Sequence, residues 1–197
     1  MPDDSSIRIA LIQGSVRPDN YTSKALALVA DEIAALGLTP DLIDPSGMDL
    51  PLPGTGADSP EAEKIQQTIG NAVGVVLATP EYHGSFSSVM KLVIENLGFP
   101  SELSGKPVAL LGVAAGRIGA IKALEHLRSV CSHVGAIVLP GPVSVAGVQD
   151  VFDDDGTCND AAVEKAVRGI ATHLNDYIHQ NICPRVALEA AVRGEAA

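Results

Sequence analysis

The sequence predicts an α/β protein built on a doubly wound parallel sheet. Three observations carry that prediction. Short apolar runs, β-branched or leucine-rich, are bounded by glycine or proline. Amphipathic stripes at helical spacing fill the gaps between them, and the two kinds of segment alternate along the chain. Strands alternating with helices imply crossover-linked parallel pairing. Near-continuous apolarity marks strands covered on both faces.

The elements follow in order. Ile7–Ile12 is the first apolar run and ends at Gln13-Gly14-Ser15. Leu26, Val29, Ile33 and Leu36 step by three and four, and Gly37 stops that helix. Pro40–Asp44 is a weaker strand, and a short helix is expected from Pro60 to Ile69. Gly74–Ala78 is the third strand, and the stripe Val89, Val93, Leu97 follows, ended by Gly98 and Pro100. Pro107–Leu111 is the fourth strand, with the helix of Ile121, Leu124, Leu127, Cys131 and Val134 behind it. Ala136–Leu139 is the fifth strand, and Val163, Val167, Ile170, Leu174 and Tyr177 mark the last helix. Residues 45–59 read as a long surface loop. In residues 139–149, Leu139, Val143, Val145 and Val148 predict either a contact surface or a packed extra strand. No repeat or linker is visible, so a single domain over 1–197 is expected. Residues 1–6 and about 185–197 are expected to be flexible or to lie at a subunit contact; 181–197 could also extend the last helix.

Composition narrows the function. The chain has 197 residues, 24 acidic against 13 basic, for a net charge of −11. That balance argues against nucleic acid or an anionic membrane as the main partner. No stretch reaches the ~18 apolar residues of a membrane span. Acids rather than bases stand at the start, so export is not expected, and three distant cysteines fit a reducing cytoplasm. With no Trp, three Tyr and three Phe, an aromatic cage is excluded. Gly156 at the sixth position of a calcium loop would put Val151 first and Ala162 twelfth, where ligands are required. No GxSxG elbow or HExxH motif occurs.

In open parallel sheets the ligand binds outside the carboxyl ends of the strands, which selects three loops. Gly14–Ser23 ends where a helix begins, and free backbone N–H groups there suit a phosphate. Ser15, Asn20, Thr22 and Ser23 add short donors, and Arg17 adds a charged fork. The alternative is an ordinary helix cap with a solvated Arg17. The second loop, Thr79–Ser88, places polar residues directly after a buried strand. Pro80 is expected to fix a turn, the Thr79 hydroxyl to meet a heterocycle edge, and Tyr82 to flank a flat ring. Glu81 reads equally as a ligand contact or a brace for a neighbouring helix. His83 reads as a plain loop histidine rather than a catalyst. The third loop, Ala114–Ala120, is small and glycine-rich, which lets backbone approach a flat ligand. Arg117 reads equally as a contact to a second anionic substrate, such as a nicotinamide dinucleotide, or as a solvated turn residue.

The segments GSVRPDNYTSKALA, ATPEYHGSFSSVMKLVIENL and GKPVALLGVAAGRIGA together resemble the NADPH-dependent FMN reductase family, over roughly residues 7–140. The resemblance implies a flavodoxin-like three-layer sandwich with a five-stranded parallel sheet in the order 2-1-3-4-5. It implies FMN as cofactor and NADPH or NADH as co-substrate, with hydride passing to flavin N5 and then to a quinone, free flavin, azo compound or metal oxyanion. The phosphate is implied to sit on Ser15, Arg17, Asn20 and Thr22, with Tyr21 among them. The flavin ring is implied to rest between Pro80, Glu81, Tyr82, His83 and Ala115, Gly116, Arg117, Gly119. No side-chain acid or base is required for the hydride step. A homodimer or homotetramer is implied. Within the family, Asn is frequent where this chain has His83. Two rival readings remain: a flavodoxin-like electron carrier without turnover, and a flavin-free interaction module.

Overall fold

The computed structural model describes residues 7–55 and 58–194. The expected frayed start at 1–6, part of the 45–59 loop and the last three residues of the tail lie outside the described residues. The chain runs β1 (Arg8–Gln13), α1 (Tyr21–Ala35), β2 (Thr39–Ile43), α2 (Pro60–Asn71), β3 (Gly74–Tyr82), β4 (Ser85–Phe86), α3 (Ser88–Glu95), β5 (Pro107–Val113), α4 (Ile121–His133), β6 (Ile137–Val138), β7 (Val143–Val145), α5 (Ala161–Tyr177) and α6 (Cys183–Arg193). The main sheet has the order β2-β1-β3-β5-β6, with parallel pairing throughout. This is the anticipated order; the numbering differs because β4 is a short strand that pairs only with β3.

The reason the strands read as continuous apolar runs is visible in the packing. Along β1, Ile9 and Leu11 face the cluster under α1 and α5, while Ala10 and Ile12 face the cluster under α2, α3 and α4. β3 splits Val76 and Ala78 from Val75 and Leu77 in the same way, and β5 splits Ala109 and Leu111 from Val108 and Leu110. Both faces of each central strand are therefore dry, which leaves no polar face to alternate. Cys131 lies in the second cluster, and burial pushes its thiol up to about 12, so it stays neutral and unreactive at physiological pH.

Three features depart from expectation or settle an alternative, and the cap of the last long helix adds to them. Val143–Val145 pairs with β5, and Leu139, Val145 and Val148 are buried, so this stretch is the packed extra strand. β3 continues through Pro80 to Tyr82, so Pro80 is strand rather than turn. Pairing of β3 with β1 ends at Ala78, while Pro80 still pairs with Val113 of β5. A residue without an N–H is tolerated there because that side of the strand has become an edge. Asp160 caps α5, its carboxylate accepting from Ala162 and Val163 N–H. Beyond α5 a π-helical turn, Ile178–Ile182, leads into α6, which extends the helix; Val186, Leu188 and Val192 on it are exposed. Among the described residues, no helix is long and apolar enough to cross a membrane.

Candidate functional site

The three loops selected from sequence all leave the carboxyl edge of the sheet, after β1, β3 and β5. Among the described residues, the only two non-glycine residues with left-handed backbone lie in them: Asp19 at φ 50 and His83 at φ 51. Held strain of this kind concentrates at functional sites.

Among the described residues, the buried side-chain oxygen without a hydrogen-bond partner lies in the loop after β1. Ser15 is buried, and its Oγ has no hydrogen-bond partner. Its carbonyl is fixed by the Gln13 side-chain amide, which donates across 2.7 Å. A buried hydroxyl without an acceptor is costly and implies that something outside the chain serves it. Asn20 is committed locally. Its Oδ1 caps α1 by accepting from Ser23 N–H at 2.8 Å, and its Nδ2 donates to the Arg17 carbonyl at 2.8 Å. Thr22 is buried in the first turn of α1. Tyr21 packs against the core cluster, with the Lys24 ammonium 5.1 Å from its ring centre. Arg17 is exposed, and its guanidinium lies 5.0 Å from the centre of the Tyr82 ring.

The loop after β3 is a tight hairpin. Tyr82 pairs with Ser85, and Glu81 with Phe86, leaving His83 and Gly84 (φ 75) as a two-residue turn with both φ positive. That geometry favours Asn-Gly, which is why Asn suits the first position; His reaches it under strain. Replacing His83 with Asn is expected to raise stability by about 0.5–1 kcal/mol, read as a higher urea midpoint of the flavin-free protein. A lower midpoint would mean that the imidazole contributes contacts outweighing the strain.

Glu81 takes the bracing role. Helix α4 has no side-chain cap of its own. Glu81 Oε2 accepts from Ala123 N–H at 3.1 Å, and Ser144 Oγ from Ala120 N–H at 2.8 Å. A carboxylate at a helix N-terminus is favourably placed against the dipole. Ser85 Oγ meets His126 Nδ1 at 3.0 Å, a second tie between hairpin and α4. Thr79 does not face a ligand: its hydroxyl is fully buried, donates to the Pro80 carbonyl at 3.0 Å and accepts from Ser87 N–H at 3.1 Å. Ser87, which the sequence reading passed over, donates to the Gly14 carbonyl at 2.5 Å and caps α3 through Met90 N–H at 3.0 Å. It thereby ties the first two loops together.

In the third loop Ala115, Gly116, Arg117 and Ile118 are exposed, while Gly119 is buried with φ 77. The loop is closed by Gly119 N–H donating to the Gly116 carbonyl at 3.1 Å, and Gln149 donates to the Ala115 carbonyl at 3.3 Å. A Cβ on Gly119 would collide with the Ser144 hydroxyl that serves α4. The arrangement offers an anion-suited loop at one end and two backbone-rich loops beside it.

Known proteins resemble this chain in sequence and in fold. The family model described as NADPH-dependent FMN reductase matches residues 7–150. A 2-hydroxy-1,4-benzoquinone reductase from Burkholderia sp is 33% identical over 70% of this chain and 76% of its own length. An NAD(P)H-dependent FMN reductase from Pseudomonas aeruginosa is 34% identical over 85% of this chain and 92% of its own. The flavoenzyme NAD(P)H:(acceptor) oxidoreductase from Paracoccus denitrificans has the same fold, with a TM-score of 0.75, 24% identity, and coverage of 88% of this chain and 98% of that one. With a family model matching most of its length and relatives at this level of identity, the chain belongs to the NADPH-dependent FMN reductase family.

Proposed function

We propose that this protein is an NAD(P)H-dependent reductase that holds FMN across the three loops and passes electrons to a small acceptor. The observation that carries the reading is the Ser15 hydroxyl, buried without a partner in the loop that also bears Arg17 and opens onto α1. A phosphate supplies the acceptor that this hydroxyl lacks, and it suits the guanidinium fork and the helix N-terminus together. Ser15, Arg17 and Thr22 are the residues assigned to it, with Asn20 shaping the loop rather than donating. The backbone of the hairpin Pro80–His83 and the loop Ala115–Gly119 are assigned to the flavin ring, and Ala115, Gly116 and Gly119 let the second of these come close to it.

FMN, when bound, would supply the redox chemistry: hydride acceptance from a nicotinamide and two-electron reduction of a small acceptor. The chain's part is to bind, orient and tune. Backbone N–H groups of the hairpin favour negative charge developing beside them. Glu81 serves by fixing the hairpin to α4, and no side chain is assigned as acid or base. Arg117, exposed beside the ring site, is assigned to the anionic co-substrate. Quinones are the first acceptor class to test, because a benzoquinone is the named substrate of the Burkholderia relative. A homodimer or homotetramer is part of the proposal.

The experiment is reconstitution with excess FMN, desalting, and a visible spectrum, followed by anaerobic NADPH and NADH and then benzoquinone. A retained two-band flavin spectrum, bleached by nicotinamide and restored by quinone, is expected. Retained flavin without turnover makes the protein an electron carrier. A colourless protein makes it a flavin-free module.

A further inference from the structure

We propose that Tyr82 is a positioning residue for the phosphate end of the flavin, acting through Arg17 rather than by stacking on the ring system. The inference rests on the FMN reading above and deepens it.

Arg17 and Tyr82 come from different loops, yet the guanidinium carbon lies 5.0 Å from the ring centre. This is the contact the structure assigns to Arg17: among the described residues, no carboxylate pairs with it. That is notable in a chain with 24 acidic against 13 basic residues. A carboxylate partner would neutralise the cation and occupy two of its donors. An aromatic face holds a guanidinium while leaving all five N–H donors and the full charge available. Tyr82 thus suits a cation that must grip a dianion afterwards.

The two partners also differ in how firmly they are held. Arg17 extends from an exposed, irregular loop. Tyr82 ends β3, is paired with Ser85, and sits in a hairpin tied to α4 through Glu81 and through Ser85 to His126. A rigid ring therefore limits the positions open to a long, flexible side chain before the ligand arrives. Ordering a binding group in advance raises affinity without adding a contact.

The test compares FMN with riboflavin, which carries the same ring but no phosphate. Fluorescence titration of wild type, Tyr82→Leu, Tyr82→Phe, Arg17→Ala and the Arg17→Ala/Tyr82→Leu double variant gives a ratio of the two affinities for each. The expected result is that Tyr82→Leu lowers the FMN-to-riboflavin affinity ratio about three- to fivefold, and that Tyr82→Phe restores it. In the Arg17→Ala background, Tyr82→Leu is expected to leave the ratio unchanged. Equal losses for FMN and riboflavin would overturn the proposal and make Tyr82 a ring contact. A ratio that falls as far without Arg17, or that Tyr82→Phe fails to restore, would overturn it in favour of a direct bond from the phenol to phosphate. If Tyr82→Leu loses its fold by circular dichroism, Tyr82→Gln takes its place. Failure of wild type to hold either flavin would be the failure of the functional reading itself, which is a different outcome from an unmoved ratio.

Discussion

Replacing Arg17 with alanine is expected to weaken FMN binding about 10- to 100-fold while leaving riboflavin binding nearly unchanged. The range follows from the charge. A hydrogen bond to a charged group contributes about 1.5–3 kcal/mol, and each 1.4 kcal/mol is tenfold in affinity. Among the described residues no carboxylate pairs with Arg17, so its removal orphans no charge among them, and the loss reports on the ligand. Two corollaries sharpen the expectation. At saturating FMN, the rate of flavin reduction by NADPH should change little, because the side chain is assigned to the phosphate end. Raising salt should narrow the gap between wild type and variant, because the contact lies near solvent and is screened. Titration by flavin fluorescence quenching measures the affinities and their salt dependence, and anaerobic stopped-flow bleaching measures the rate of reduction. An unchanged FMN affinity would remove the phosphate from this loop and, with it, the assignment of Ser15.

How much of this was legible in the sequence depends on how locally each feature is encoded. The five strands of the main sheet were legible because residues such as Ile9, Ala10, Leu11 and Ile12 are all buried, on alternate faces. The helices were legible because Gly37 and Gly135, at φ 80 and 88, stop two of them where the apolar stripes end. The hairpin was not. Its turn is His-Gly rather than Asn-Gly, and Pro80 looks like a turn residue when the edge it occupies cannot be seen. Glu81 had two readings because its partner, the backbone of Ala123, lies far along the chain. Thr79 was placed in the right loop with the wrong role. A hydroxyl next to a site and a hydroxyl beneath it look alike in sequence, and only the neighbouring Ser87 separates them. The unpartnered Ser15 hydroxyl could not be foreseen either, since satisfaction is a property of the packed loop.

Ser87 carries the second large expectation. Its substitution by alanine should lower stability by about 2–4 kcal/mol and also weaken FMN binding. The stability loss has two sources. Losing the cap on α3 costs about 1 kcal/mol. Losing the donor to the Gly14 carbonyl, buried at the floor of the first loop, leaves an acceptor unsatisfied at about 1–3 kcal/mol. The space there gives little room for relaxation: a Cβ on Gly14 would lie 2.7 Å from the Ala78 carbonyl and 3.1 Å from the Met90 methyl. Affinity should fall because Gly14, whose carbonyl loses its donor, directly precedes Ser15; the bond to Thr79 comes from the Ser87 backbone N–H and stays in the variant. A control separates this from general destabilisation. Ser59 caps α2 through Ala62 N–H at 3.1 Å and donates to the Asp49 carbonyl at 2.9 Å, so it makes the same pair of bonds away from the three loops. Ser59→Ala should therefore lower the denaturant midpoint with FMN affinity intact, whereas Ser87→Ala should lower both. If both variants lose stability alike and neither loses flavin, Ser87 holds up the fold without shaping the site. If only Ser87→Ala loses flavin, one hydroxyl serves both, because the carbonyl it satisfies adjoins the residue that awaits the phosphate.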